Sequence, residues 1–394
     1  VAPPAHPSPD RAGASTGLPV GFQDEVLAAG RAAGLDAAGI APAVRFDRAR
    51  AAIEARLADG LDGGLPFTFR KPARSTDPSG LLPGAAALVV GATSYLRADP
   101  VGHPDHHPGP SPEGPASGRI ARYQWRDHYE PLRAGLAAVA TVLRQAGWRT
   151  RVLADDNSLV DREAAALAGL GWYGKNCCIL LPGRGSWFVL GSVLTDAPLA
   201  PTGTPAADGC GSCSACLPAC PTGALVAPGV LDARRCLAWL VQAPGDFPEA
   251  HREALGDRIY GCDDCQEVCP VNRRAARAHP PPAAEPDSRP WVELVRLATA
   301  TGAEVLAAHG RWYLPDRDPD VLRRNAFVAL GNVGDPAAAE VRAAVAAGLA
   351  DPNPMIVRHA AWAADRLDRR RRAGTDAGTD PGTDPGTDAG TDPR

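Results

Sequence analysis

The chain has 394 residues, 45% of them hydrophobic, and a formal net charge of −4, so it is long enough for two or three folded domains. The segment 373–394 alone carries five Asp and one Arg, which leaves the body near neutral and excludes nucleic-acid binding by bulk positive charge. No apolar run is long enough to span a bilayer.

Residues 1–17, rich in Ala, Pro and Ser, lack the apolar centre of a secretory signal and read as a disordered extension. Phe22 to Ala33 and Arg45 to Leu61 have the three- and four-residue apolar steps of amphipathic helices, stopped by Gly34 and by Gly60, Gly63 and Gly64. Ala85 to Val90 reads as a buried strand, followed by a Pro-, His- and Gly-rich loop from Asp99 to Gly118. His103, His106 and His107, with Asp105, have metal-ligand chemistry, but nothing regular holds them, and a solvated loop is the expectation. A helix from His128 to Gly147, a strand from Arg149 to Ala154, a helix from Asp161 and a strand from Ser186 to Leu194 predict an α/β domain ahead of the cysteines.

Asp155, Asp156, Asp161 and Arg162 follow a strand end, where ligand-contacting residues gather in open sheets, although helix capping by Asp155 or Asp156, and by Asp161 next door, is equally open. Gly169-Leu-Gly171-Trp172-Tyr-Gly174 matches a dinucleotide fingerprint and nearly a P-loop. The first needs a preceding strand and the second a Ser or Thr where Asn176 stands, so neither phosphate-binding reading holds. Cys177 and Cys178 lie in an apolar stretch and read as small buried hydrophobes.

Eight of the ten cysteines fall between 210 and 269. Cys210-Gly-Ser-Cys213-Ser-Ala-Cys216-Leu-Pro-Ala-Cys220-Pro221 is the C-x₂-C-x₂-C-x₃-C-P run of a bacterial ferredoxin. Cys262-Asp-Asp-Cys265-Gln-Glu-Val-Cys269-Pro270 is a second run without its first member, and Cys236 stands between. In two-cluster ferredoxins the fourth cysteine of each run ligates the other cluster. Cys210, Cys213, Cys216 and Cys269 are therefore assigned to one [4Fe–4S] cluster, and Cys220, Cys236, Cys262 and Cys265 to the second. Zinc does not call for such a run, and disulfides need an oxidising compartment for which no signal is read. A reducing cytoplasm is expected.

A Pro-rich linker, 278–290, leads into a region that reads as helical from Trp291. Helices at Asp320 to Val333, Ala337 to Asp351 and Pro354 to Leu367 restart after Asp-Pro or Asn-Pro turns, as HEAT-type repeats do. The repeats of Gly-Thr-Asp in 369–394 cannot build a core and are expected to be disordered.

Three motifs precede the cysteines in order. They are Leu-Ala-Asp155-Asp-Asn-Ser-Leu-Val-Asp161-Arg162, Gly169-Leu-Gly171-Trp172-Tyr-Gly174-Lys175-Asn176 and Gly185-Ser186-Trp187-Phe188-Val-Leu190-Gly191. With Arg74-Ser-Thr-Asp77-Pro78 and Gly118-Arg-Ile-Ala-Arg122-Tyr123, the arrangement resembles epoxyqueuosine reductase over roughly residues 20 to 368. The resemblance implies an α/β corrinoid-binding domain (18–205), a ferredoxin-like module with two [4Fe–4S] clusters (206–277) and an α-helical HEAT-like C-terminal domain (291–368). It also implies reduction of the epoxide of epoxyqueuosine at the tRNA wobble position to the alkene of queuosine. Asp155 matches the family's proton donor, while Arg74, Ile179, Leu190, Arg235 and Asp263 match positions lining the cobalamin.

The cobalamin is expected base-off, with no histidine ligand, since no Asp-x-His-x-x-Gly motif is present. A raised pKa is expected for Asp155, through burial beside the corrinoid and the neighbouring Asp156. Expected partners are a tRNA with a GUN-type anticodon and a low-potential ferredoxin or flavodoxin, with no membrane and a monomeric chain. Candidate tRNA contacts are Arg323, Arg324, Arg342, Arg358 and Arg369 to Arg372. The family's Gly-x-Asp-Tyr-His is replaced by Trp125-Arg126-Asp127-His128-Tyr129, and Asp156-Asn157-Ser158 stands where the family has Thr/Ser-Gly-Pro-like residues. A corrinoid iron–sulfur reductase for small molecules is the alternative, as is a plain electron carrier. The Arg-bearing helical C-terminus argues against the first of these and the large domain before the cysteines against the second.

Overall fold

A computed structural model describes residues 18–99 and 116–377, organised as two compact units. The expected extension at 1–17, the His103, His106, His107 and Asp105 group, and the end of the Gly-Thr-Asp tail lie outside the described residues.

The first unit takes in described residues 18–60, 66–95 and 128–213. Its four-stranded sheet has the order Ala37–Pro42, Ala87–Ser94, Phe188–Thr195, Thr150–Ala154. Every neighbouring pair is antiparallel. The helix–strand alternation thus produces a mixed fold whose helices join antiparallel strands. Ala87–Ser94 is, Leu88 apart, a run of small and β-branched residues, because it is an interior strand covered on both faces. On one face Leu88, Val90 and Ala92 pack with Phe46, Leu159 and Ala164 to Ala166, the last three lying in the helix Asp161–Leu167.

On the other face the helix Tyr129–Gln145 comes unusually close. Gly91 and Gly191 face each other across the paired strands. A Cβ on Gly91 would meet Leu35 at 2.9 Å, and one on Gly191 would meet Leu136 at 2.8 Å. The two missing side chains set the depth of helix packing.

The second unit takes in described residues 61–65, 96–99, 116–127 and 214–377. The division falls inside the cysteine segment, leaving Cys210 and Cys213 in the first unit, while the cysteines from Cys216 on and the C-terminal helices share the second with Ser117–Ile120. That strand is the centre of a three-stranded sheet, parallel to Arg258–Tyr260 and antiparallel to Trp291–Glu293. Residues 291–293 are therefore a strand, and the helix starts at Leu294. The Pro-rich segment before it is tied down: Ala98 N–H donates to Pro282 O, Arg289 N–H donates to Trp125 O, and Glu285 pairs with Arg97 and Arg126.

The helix Asp320–Val333 is buried nearly all round, its polar Arg324 and Asn325 included, packing with Leu294–Thr299 and Pro354–Ala377. Pro354–Ala377 also packs with Ala339–Leu349 and runs past the expected end of the fold, so residues 369–377 are helical rather than disordered. Arg324 is fully buried. Its guanidinium donates to Leu240 O at 2.8 Å, Asn325 Oδ1 at 3.2 Å and Gly245 O, and desolvation lowers its pKa to about 10. Asn325 Nδ2 donates to Val241 O and Ile259 O. Adjacent polar residues on one helix thereby satisfy carbonyls of the cysteine segment.

His359 works in the same way. Its Nε2 accepts from Phe247 N–H at 3.0 Å while Nδ1 donates to Met355 O at 2.7 Å, which requires the neutral ring. Burial lowers its pKa to about 4 from 6.5. Below pH 6.5 the unfolded chain takes up a proton that the folded ring refuses, so this stability is complete above pH 6.5 and is lost as pH falls through 4. The pair of values corresponds to about 3 kcal/mol, and His309, also lowered to about 4 by burial, acts in the same window. Urea unfolding at pH 7.5 and pH 5 checks this: His359→Gln should cost about 1–3 kcal/mol at pH 7.5 and lose part of the wild-type acid sensitivity.

Candidate active site and iron–sulfur segment

In the first unit the candidate acid is placed by strand register. Thr150–Ala154 pairs with Phe188–Thr195 so that Ala154 lies opposite Gly191. Asp155 leaves the sheet at the next position, abreast of Leu190, in the left-handed conformation at φ 54°. Asp tolerates that region better than most residues, and it turns the chain sharply away from the strand. Asp156 Oδ1 then accepts from Ser158 N–H at 2.8 Å, and Val160 N–H donates to Ser75 O at 3.0 Å. The second bond ties the acidic loop to the short helix Pro72–Ser75 that carries Arg74. Ile179 is buried, pairs with Tyr173, and shares the core below the sheet with half-buried Leu190. Asp155, Leu190, Ile179 and the Arg74 helix thus belong to one unit.

Asp155 is exposed, so any burial of its carboxyl comes from what binds over it. The carboxyl that the fold itself desolvates is Asp161, whose Oδ1 is buried with no hydrogen-bond partner among the described residues. Burial holds its pKa well above the carboxylate range, the charges of Asp155 and Asp156 add to this, and Arg162 opposes it. Glu163, next in the helix, is buried but paired, taking two hydrogen bonds from Arg48 at 3.2 and 2.9 Å. Arg48 also lies over the Tyr173 ring at 4.8 Å.

The glycine-rich motif is neither phosphate loop. Trp172–Tyr173 and Ile179–Leu180 form a two-stranded hairpin, with no helix opening after Gly174. At its turn Cys177 is left-handed at φ 65°, and Cys178 N–H donates to Asn176 Oδ1. Both cysteines are half-buried thiols; burial pushes Cys177 upward, partly offset by Arg162. Residues of this motif instead contact the first cysteine loop. The Trp172 ring lies on Gly209, and Lys175 Nζ donates to Gly211 O at 2.7 Å. Phosphate-loop templates missed this contact, because the partner is about 35 residues away in sequence.

In the second unit Cys220 Sγ accepts from Ala224 N–H at 3.1 Å, with Thr222 Oγ1 at 3.7 Å. Backbone N–H groups aimed at sulfur suit a cluster thiolate. Thr222 Oγ1 donates to Arg235 O, and the Arg235 guanidinium lies over Gly223, so Arg235 sits on the Cys220 turn. Cys236 caps the helix Leu237–Leu240 and lies within electrostatic reach of Cys262. Cys262 packs beside Leu237 and Leu240, and burial pushes its thiol far up, followed by the charge of Asp264. A thiolate there needs compensating positive charge, which cluster iron supplies; the cysteine segment fits the group.

The helices Cys216–Ala219 and Asp264–Glu267, the latter containing Cys265 and ending two residues before Cys269, pack against one another. Asp263 is buried, and its Oδ2 accepts from Arg122 N–H at 2.7 Å. Burial raises its pKa to about 6, with the Arg122 bond opposing. That contact joins Gly118-Arg-Ile-Ala-Arg122 to the second cysteine run, a pairing that spacing alone cannot foretell.

The proposed nucleic-acid arginines divide. Arg324 is enclosed and fully committed to carbonyls, so it cannot contact a ligand, and Arg323 is locked between Asp320 and Asp351. Arg370 is part-buried and donates to Gly331 O and Gly334 O. Arg342, Arg358, Arg369, Arg371 and Arg372 are exposed.

Close backbone approach around the hairpin gives a stability test. A Cβ on Gly171 would stand 2.2 Å from Leu180 O, a backbone atom that cannot swing aside. Gly171→Ala should therefore lose about 1–3 kcal/mol in thermal or urea unfolding, whereas Gly183→Ala meets no neighbour but a positive φ of 69° and should lose less.

Residues 209–272 match the 4Fe-4S double cluster binding domain. The chain is 32% identical over 359 residues to an epoxyqueuosine reductase of Bacillus cereus, covering 88% of this chain and 89% of that protein. It is 34% identical over 348 residues to the Xanthomonas campestris epoxyqueuosine reductase, covering 84% and 92%. A crystal structure of epoxyqueuosine reductase with an epoxyqueuosine-modified tRNA-Tyr stem loop superposes with a TM-score of 0.78 at 29% identity, covering 93% of this chain and 96% of that one. A Bacillus subtilis epoxyqueuosine reductase, its catalytic loop swung out of the active site, superposes with a TM-score of 0.76 at 29% identity, covering 92% and 95%. No described helix is long and apolar enough to cross a membrane. With two-cluster ligation in its cysteine segment and likeness along nearly its whole length, the chain belongs to the epoxyqueuosine reductase family.

Proposed function

We propose that this protein reduces the epoxide of epoxyqueuosine at the wobble position of tRNA to the alkene of queuosine. The observation that carries the reading is Asp155, exposed on a left-handed turn abreast of Leu190, in a chain alike to epoxyqueuosine reductases over most of its length. The reaction removes one oxygen as water and consumes two electrons and two protons. The electrons come from an external low-potential donor of ferredoxin or flavodoxin type through the clusters. Cys210, Cys213, Cys216 and Cys269 are the ligand set of the first cluster. Cys220, Cys236, Cys262 and Cys265 are that of the second, supported by the proximity of Cys236 to Cys262.

Bound cobalamin supplies the cobalt centre at which the epoxide is reduced. The residues fit that group: apolar Ile179 and Leu190 underlie a surface with Asp155 at its edge, and Arg74 stands on the helix tied to the same loop. Arg235 and Asp263 are the positions in the cysteine segment that the family likeness adds for it, and no histidine ligand to cobalt is assigned. Asp155 holds the proton for the alkoxide that develops as the ring opens. The Bacillus subtilis relative has its catalytic loop swung out of the active site; here Asp155 is held on its left-handed turn, followed by the Asp156–Ser158 bond. The C-terminal helices form a HEAT-like domain whose exposed Arg342, Arg358, Arg369, Arg371 and Arg372 would meet tRNA phosphates.

The test is turnover. Protein reconstituted with clusters and cobalamin is incubated with epoxyqueuosine-containing tRNA and a low-potential reductant, and the digested nucleosides are weighed by mass spectrometry. Loss of one oxygen is expected, with Asp155→Ala slower by about 10²–10⁴-fold at unchanged cofactor content. Near-normal turnover by that variant would remove Asp155 from the acid's role; no mass change by the intact loaded enzyme would sink the substrate reading. The ligand sets are checked separately: Cys236→Ala should lose roughly half the bound iron, the share of one of two [4Fe–4S] clusters, while Cys177→Ala keeps all of it.

A further inference from the structure

The hairpin built by Gly171-Trp172-Tyr-Gly174-Lys175-Asn176 has a use beyond shape. Trp172 is 9% exposed, and its indole Nε1 is buried with no hydrogen-bond partner among the described residues. A Cβ on Gly209 would stand 2.5 Å from Trp172 Cζ2, 2.8 Å from Cη2 and 2.9 Å from Cε2, so the six-membered ring is laid on Gly209 by the edge next to the indole N–H. The next residue is Cys210. Lys175 Nζ donates at 2.7 Å to the carbonyl of Gly211, inside the turn where Cys213 N–H donates to Cys210 O. One motif therefore brings a buried, unused donor and a fixed positive charge to the loop carrying the first two cysteines. Buried donors are seldom left unmatched, and sulfide and thiolate sulfurs are acceptors.

We propose that Trp172 and Lys175 tune the iron–sulfur cluster held by the first cysteine run, the indole N–H donating to a cluster sulfur and the ammonium adding positive charge beside it. Both favour the more negative, reduced state and so raise its reduction potential. The lack of any side chain at Gly209 is what lets the indole reach the loop. This rests on the two-cluster reading and is independent of the tRNA substrate.

The experiment is a redox titration followed by electron paramagnetic resonance on protein loaded with both clusters. Trp172→Phe should lower the midpoint of one cluster by at least tenfold in its reduction equilibrium, about 59 mV for one electron, leaving the other cluster and the iron content unchanged. Lys175→Met should move the same midpoint in the same direction. In the unsubstituted protein carrying ¹⁵N-indole tryptophan, a nitrogen hyperfine coupling to one reduced cluster is expected, absent from Trp172→Phe. Unchanged midpoints at full iron content overturn the proposal. If Trp172→Phe binds iron poorly, the labelled protein decides, and absence of nitrogen coupling to either cluster overturns it.

Discussion

The antiparallel pairing of Phe188–Thr195 with two strands at once is the constraint on which the first unit depends. It holds Ala87–Ser94 on one side and Thr150–Ala154 on the other, and the two registers meet at Gly191. Gly191 has no side chain, so Leu132 and Leu136 of the neighbouring helix close on the sheet there. The same register decides that Asp155 leaves the sheet abreast of Leu190. A slip of one residue would turn Leu190 to the opposite face and separate it from the acid. Packing and chemistry are thus set by one pairing.

The second unit relies on polar groups at its centre. Arg324, Asn325 and His359 lie on two C-terminal helices and satisfy backbone groups of the cysteine segment and its neighbours. A cysteine segment is short of regular structure, because cluster loops need turns whose N–H groups point at sulfur. Carbonyls left over by those turns must find donors or carry the cost of burial, about 1–3 kcal/mol each. The helices supply the donors, so the cysteine segment from Ser214 on and the helical C-terminus form one compact unit. Arg324, a candidate for the nucleic-acid surface on charge alone, is therefore an interior residue.

Charge in the acidic loop is distributed by burial. Asp155 and Asp161 are six positions apart, yet one is exposed and the other desolvated. The exposed residue sits on the strained turn, where a left-handed non-glycine conformation is retained because the surrounding bonds hold it there. Cofactor and substrate binding, more than the fold, would decide the environment of its carboxyl.

Much of this was legible in the sequence. The cysteine spacing by itself determined two-cluster ligation, since a cubane wrapped by short loops imposes a local pattern. The boundaries of Asp320–Val333 followed from periodicity, because helix burial repeats over a few residues, whereas the buried strand expected at Ala85 to Val90 lies at Ala87–Ser94, four residues further at its end. Tertiary structure alone decided what depends on distant partners. Ser117–Ile120 joins strands some 140 and 170 residues later, Trp172 rests on Gly209, and Asp263 accepts from Arg122. No local pattern announces such pairs, because the free energy that selects them comes from surfaces buried together and polar groups satisfied across the fold.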